Sequence, residues 1–272
     1  MINGRRVAKR MIERLQDMRS PYLAGLHRTD YVKARDAKRF VHGTTRFHGK
    51  PLHYSDSCGF LHSVREIFTD EVYKFDAKTA TPRIIDAGAN IGLSVIYFKQ
   101  LYPESSIVAF EPDPAIFSLL ARNVGDRDGV ELRQAAAWTE NTTLTFYTEG
   151  SLAGSSEVDF LGDAQKVEVN ASRLKDEVRK GPVDFLKIDI EGAENAVLFD
   201  IEDDLPTVDH LFFEYHSVPD KPQRLGDMLA LVSGAGFRYI INGTHGARLP
   251  FVERTTRGFD LQANVFCFRD SR

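Results

Sequence analysis

Apolar positions along the chain recur at two periods, and the places where the period changes predict its elements. A short apolar run at residues 83–85, Arg83-Ile84-Ile85, meets Asp86-Ala87-Gly88-Ala89-Asn90-Ile91-Gly92. This predicts a buried strand ending in a tight turn, because Gly88 and Gly92 accept positive φ and let backbones approach closely. A helix follows from near Gly92, and Ile107-Val108-Ala109-Phe110 predicts the next buried strand, with Glu111 at its end. Asp113 is placed to cap a third element, a helix with Pro114 in its first turn and Ile116, Leu119, Leu120 and Val124 on its buried face.

Downstream, residues 130–136 read as a third strand, 142–147 as an added antiparallel strand and 166–170 as a short strand, with Ser172 capping a short helix. Between them, residues 150–163 are small, polar and glycine-rich, which predicts an ordered functional loop. A second strand-turn-helix unit begins at residues 183–190, VDFLKIDI, and continues through Glu191-Gly192-Ala193-Glu194. Strands are expected at 209–216, 237–242 and 264–268, a helix at 222–235, and a connection without periodicity at 243–263. Upstream, residues 5–19 carry Val7, Ala8, Met11, Ile12, Leu15 and Met18 at helical spacing beside five basic residues, which suits a helix packed on its own domain or on a membrane or partner surface. Residues 45–54 predict a hairpin about Gly49-Lys50, and residues 63–75 a helix.

Alternating strands and helices predict a mostly parallel α/β sheet covered on both faces. The expected layout is an α/β extension over residues 1–80 and a Rossmann-like domain over 81–272. A hydrophobic content of 42% suffices for a sizeable core, and a net charge of -4 offers no general attraction to nucleic acid. Cys58 and Cys267 give neither a disulfide framework nor a zinc pattern, and are expected as reduced, mostly buried thiols. No apolar run is long enough to span a bilayer and no secretory h-region is visible, so the expected compartment is the cytoplasm.

The turn Gly88, Asn90, Gly92 followed by Glu111 is a nucleotide-site pattern: backbone N–H groups approach a ligand while the carboxylate accepts from a ribose diol. Asp86 could orient the turn or face a cationic ligand group; the alternative is that Asp86 and Asn90 only cap the helix. A second group comprises Asp189, Glu191, Glu214 and His216, at the carboxyl ends of two strands expected to be neighbours. Residues two apart on a strand share a face, so three acids and an imidazole would converge on the crevice. His216 is the candidate base, with Asp189 as the alternative. Asp189, Glu191 and Glu214 could instead hold magnesium or calcium. Glu194 reads as an acid stabilising a helix start, and Lys187 has no assigned role.

DAGANIG at 86–92, Phe110-Glu111-Pro112, LKIDIEGAE at 186–194 and FFEYH at 212–216 together resemble the FkbM family of S-adenosylmethionine-dependent methyltransferases, over roughly residues 54–242. The resemblance implies a seven-stranded sheet with a final antiparallel strand, and methylation of oxygen, commonly on sugars, glycans or other natural products. It also implies that Asp86, Gly88, Asn90 and Gly92 line the methionine part of the cofactor, that Glu111 with Pro112 borders its ribose, and that Ala136, Ala137 and Trp138 lie near adenine. Asp189 would stand between cofactor and acceptor. The expected partner is a small-molecule or glycan acceptor, with a homo-oligomer possible, a divalent metal such as magnesium possible and no nucleic acid. An NAD-dependent dehydrogenase shares the strand-turn-helix-acid logic, although Asn90 replaces the second glycine of that fingerprint; a non-catalytic cofactor-binding protein is the third class.

Overall fold

The structure is a computed structural model and describes residues 23–148, 165–219, 221–246, 249, 251–252 and 259–269. The helix expected at 5–19 and the loop expected at 150–163 lie outside the described residues. Two compact units meet in the chain between Val72 and Tyr73.

In the first unit, helix α1 (Arg28–Asp36) buries only Ala34. Strands β1 (Gly43–Phe47) and β2 (Lys50–Tyr54) form an antiparallel hairpin. Its turn residues are His48 and Gly49, not Gly49-Lys50, and both have positive φ, the geometry that matches strand twist in a two-residue turn. Helix α2 (Ser57–Val64) starts six residues before the expected position because Asp56 caps it, accepting from the Gly59 N–H, and it ends in a π-helical turn at Arg65–Thr69. Phe47, Tyr54, Phe60 and Phe68 pack as its aromatic core, Tyr54 stacking on Phe60 at 5.1 Å. Cys58 is exposed here, contrary to expectation, whereas Cys267 in the second unit is buried.

The second unit is built on a seven-stranded sheet. Its strands are β3 (Arg83–Ala87), β4 (Ser106–Phe110), β5 (Val130–Arg133), β9 (Val183–Ile188), β10 (Val208–Ser217), β11 (Arg238–Gly246) and β12 (Leu261–Phe268), in the order β11-β12-β10-β9-β3-β4-β5. Only β12 runs against the others. The expected third strand divides: residues after Arg133 leave the sheet, and β6 (Ala136–Trp138) joins β7 (Thr142–Thr148) and β8 (Gln165–Arg173) in a separate sheet of order β6-β8-β7. Ser172 therefore lies in β8, and helix α5 (Leu174–Val178) begins after Arg173 without a side-chain cap.

Strand parity sorts the core onto both sheet faces, as a parallel sheet requires. Leu186 and Ile188 of β9 and Leu211 and Phe213 of β10 pack with Val197 and Leu198 of helix α6 (Glu194–Asp200) and Met228 and Val232 of helix α7 (Leu225–Gly234). Phe185 faces the other way, with Tyr73, Phe75 and Phe98 clustered around it. Fully buried rings such as Phe98 and Phe213 each contribute about 1.5–3 kcal/mol through removal from water.

Helix α3 (Leu93–Leu101; this numbering counts helices in chain order) starts at Gly92, whose φ of +91° and missing Cβ admit Leu120 of helix α4 (Pro114–Val124). Asp113 caps α4, accepting from Ala115 and Ile116 N–H at 2.7 and 3.1 Å, with Pro114 at the first helical position. Asp113→Ala is expected to cost about 1 kcal/mol, the usual loss on removing an N-cap, measured as a lowered urea midpoint at unchanged slope.

Candidate active site

The chain leaves β3 toward β4 on one side and returns through β9 on the other, so the sheet order reverses between β3 and β9. The carboxyl ends of these strands are where open α/β sheets bind ligands. The turn after β3 is stitched to β4: Gly88 and Ala89 N–H both donate to the Phe110 carbonyl, at 3.1 and 2.8 Å. Asn90, in the left-handed region, donates its N–H to Glu111 Oε2 at 3.0 Å. Asp113 N–H donates to Glu111 Oε1 at 3.0 Å. Burial nevertheless pushes the Glu111 carboxyl up to about 8, against the pull of these two N–H donors. Gly88 combines a φ of +90° with contact against the β9 end: a Cβ there would stand 1.8 Å from the Asp189 carbonyl oxygen.

Lys187, unassigned from sequence, occupies the centre. Register aligns Asp86 of β3 with Lys187 of β9 and Lys187 with Phe212 of β10 on one face. The ammonium lies 3.2 Å from Asp86, 3.3 Å from Asp189 and 2.8 Å from the Gly88 carbonyl, with both Lys187 and Asp86 almost wholly buried. Burial pulls its pKa down, but Asp86 and then Asp189 outweigh that and hold it well above the ordinary lysine value. Ser94 of α3 donates to the other Asp86 oxygen. Asp86 thus orients the turn through Lys187 and Ser94 and does not cap α3, which has no side-chain cap.

The expected acid and imidazole group comes together, but not by strand parity. Strand β9 ends at Ile188, and Asp189 to Ala193 form a turn in which Glu191 takes a φ of +55°. Strand β10 continues past its last partner on β9, so this turn folds across its exposed side. Glu191 Oε2 reaches 3.3 Å from His216 Nε2, Glu214 Oε2 lies 3.9 Å from it, and Glu194 Oε1 lies 3.0 Å from Nδ1. Glu194 was expected only as a helix-start acid. It does accept from Ile190 and Gly192 N–H, yet it is buried and also holds the imidazole. Burial disfavours the charged ring, but Glu194, Glu191 and Glu214 raise its pKa well above the ordinary histidine value. Asp189 does not contact the ring as an ion pair; its carboxylate, that of Glu214 and an imidazole nitrogen of His216 all lie within 4.8 Å of one another.

Of the residues expected near adenine, Ala136 and Ala137 are buried in the two hydrophobic cores and Trp138 is half-buried between them. Pro112 is half-buried between Glu111 and Asp113. The signal for Lys187 was present in the sequence as a charge set between Leu186 and Ile188 of an apolar run, since a buried lysine needs acidic partners. The role of Glu194 had no such signal, because its partner stands on a different strand.

A model of the methyltransferase FkbM domain matches residues 86–239, which spans the whole arrangement just described. The chain belongs to the FkbM methyltransferase family. It is 32% identical over 176 residues to methyltransferase sdnD of Sordaria araneosa, covering 52% of this chain and 68% of that protein. It is 28% identical over 213 residues to 31-O-demethyl-FK506 methyltransferase FkbM of Streptomyces tacrolimicus, covering 65% of this chain and 81% of that one. Among solved structures, methyltransferase FkbM from Methylobacillus flagellatus KT aligns with a TM-score of 0.44 at 15% identity, over 73% of this chain and 46% of that chain.

For an FkbM-family domain, the residues at the β3 and β4 ends suit S-adenosylmethionine. Gly88 lets the turn close against the Asp189 carbonyl, and each oxygen of the Glu111 carboxyl accepts one backbone N–H and keeps further hydrogen-bonding capacity.

Gly88→Ala is expected to abolish binding of S-adenosylhomocysteine by calorimetry and to lower the melting temperature, because backbone cannot yield as a side chain would. Glu111 binds its proton more tightly folded than unfolded, so its contribution to stability is full below pH 4.5 and lost as pH rises toward about 8. Glu111→Gln should remove that decline from the pH profile of ligand-free urea midpoints; an unchanged slope would refute the assignment.

Proposed function

We propose that the chain transfers a methyl group from S-adenosylmethionine to a hydroxyl oxygen of a carbohydrate, glycan or glycosylated natural product. The observation that carries this reading is the acceptor-rich group beside the Gly88 turn: Asp189, Glu191 and Glu214, each partly exposed, around a buried His216. Ionised carboxylates only accept hydrogen bonds, so the crevice is complementary to a molecule that brings several donating hydroxyls. Two relatives carry oxygen-methylating names, the FkbM protein of Streptomyces tacrolimicus and 2-O-methyltransferase NoeI of Sinorhizobium fredii, the latter 26% identical over 153 residues, covering 49% of this chain and 63% of that one.

When bound, S-adenosylmethionine supplies a sulfonium methyl whose C–S bond breaks as the acceptor oxygen takes the methyl group, leaving a thioether. Gly88, Asn90 and Gly92 would hold the methionine end on a turn that Asp86 orients, Glu111 would hold the ribose, and Pro112 with the segment Ala136, Ala137, Trp138 would border the adenine side. Asp189, Glu214 and His216 fix the acceptor, and holding reacting atoms in line supplies much of the rate. Glu191 takes the hydroxyl proton: it stands at the mouth of the crevice on a positive-φ turn, a strained conformation of the kind that gathers at functional sites.

Calorimetry with S-adenosylmethionine, S-adenosylhomocysteine and NAD tests the donor, and binding of NAD alone would overturn the reading. Glu111→Ala is expected to weaken S-adenosylhomocysteine by about 1–3 kcal/mol, the cost of leaving buried hydrogen-bond partners unsatisfied. Glu191→Gln is expected to lower turnover of an identified acceptor while leaving that affinity in place.

A further inference from the structure

We propose that Asp189, Glu214 and His216 form a divalent-cation site that seats an acceptor through two adjacent oxygens, an inference that rests on the methyl-transfer reading above. One ligand atom from each of the three lies within 4.8 Å of the other two, a spacing a single ion can bridge. The sequence suggested Asp189, Glu191 and Glu214; the fold puts His216 in place of Glu191.

The imidazole supplies the second, independent observation. Its side chain is fully buried, and its Nδ1 is fixed by Glu194 Oε1 at 3.0 Å. Glu194 is itself fixed by the backbone N–H groups of Ile190 and Gly192. A carboxylate that orients one ring nitrogen while the other is left without a hydrogen bond is the outer-shell arrangement of metal-ligating histidines. The other nitrogen, Nε2, is buried, makes no hydrogen bond, and faces the carboxylates of Glu191 and Glu214 at 3.3 and 3.9 Å. Lys187 pairs with Asp189 at 3.3 Å but is also held by Asp86 and the Gly88 carbonyl, and it makes no ion pair with Glu214 among the described residues.

Two carboxylates and one imidazole form an oxygen-dominated set. Such sets suit Mg²⁺ and Mn²⁺, and the imidazole favours Mn²⁺ of the two. Octahedral coordination leaves positions beyond three protein ligands, enough for adjacent hydroxyls of a diol. Glu191, outside the ligand set, remains available for the proton.

The test is Mn²⁺ titration of the chelator-stripped full chain, read by electron paramagnetic resonance of free Mn²⁺, with pulsed measurements on the bound ion. One Mn²⁺ per chain is expected, with nitrogen coupling from a directly bonded imidazole. Asp189→Asn and Glu214→Gln should each weaken binding at least about tenfold, as loss of a ligand does. Absence of saturable binding at millimolar Mn²⁺, or saturable binding without nitrogen coupling, would overturn the proposal. The wild-type coupling needs no variant to fold. Calorimetry with S-adenosylhomocysteine on the same stripped protein separates the two readings: its binding without Mn²⁺ binding sinks the cation site and leaves the methyltransferase reading standing.

Discussion

A buried ammonium is the constraint on which this fold turns. Lys187 is removed from water at the centre of the sheet, where an unpaired charge would shift its pKa or unfold its surroundings. It is stabilised by Asp86 on β3, by Asp189 just past β9 and by the Gly88 carbonyl. Removing one member of such a buried set typically costs about 3–5 kcal/mol, because the partner charge is left uncompensated. The same three contacts join the neighbouring strands between which the chain reverses its direction across the sheet. The charge network that makes the core polar there also sets the position of the Gly88 turn against Asp189.

From that fixed point the two halves of the crevice diverge. On the β4 side the glycine turn is bound through backbone groups to Phe110 and Glu111, which leaves a carboxylate held by N–H donors at the strand end. On the β10 side a longer strand outruns its neighbour, and the turn from Asp189 to Ala193 closes over it. The first arrangement suits a ligand approached by backbone groups and a hydrogen-bonding carboxyl. The second collects negative charge around one imidazole, and suits a ligand rich in hydroxyl donors or a cation that carries them.

Acidic crowding on this scale is sustained because each carboxylate has a local reason to stay. Glu194 satisfies the amides of the turn that presents Glu191, and Glu214 accepts from Thr244 on β11. The cluster is thereby assembled from two strand ends, one turn, one helix start and a residue of β11, two strands away from β10.

Much of this was legible in the residues themselves. Local interactions determined the strand-turn-helix at Asp86 to Gly92, the Asp113-Pro114 helix start and the apolar runs of β3, β4, β9 and β10, because glycine stereochemistry, capping and periodicity act over a few neighbours. The motifs also carried the family. Other features were settled only by tertiary packing. Residues 134–138 leave the main sheet for a second one, since strand propensity says nothing about which partner a strand finds. Lys187 and Glu194 acquired their roles from Asp86 and His216, which stand on other strands. The environment of His216 was likewise decided in three dimensions: burial disfavours its charged form, while Glu194, Glu191 and Glu214, which the fold brings to it, raise its pKa.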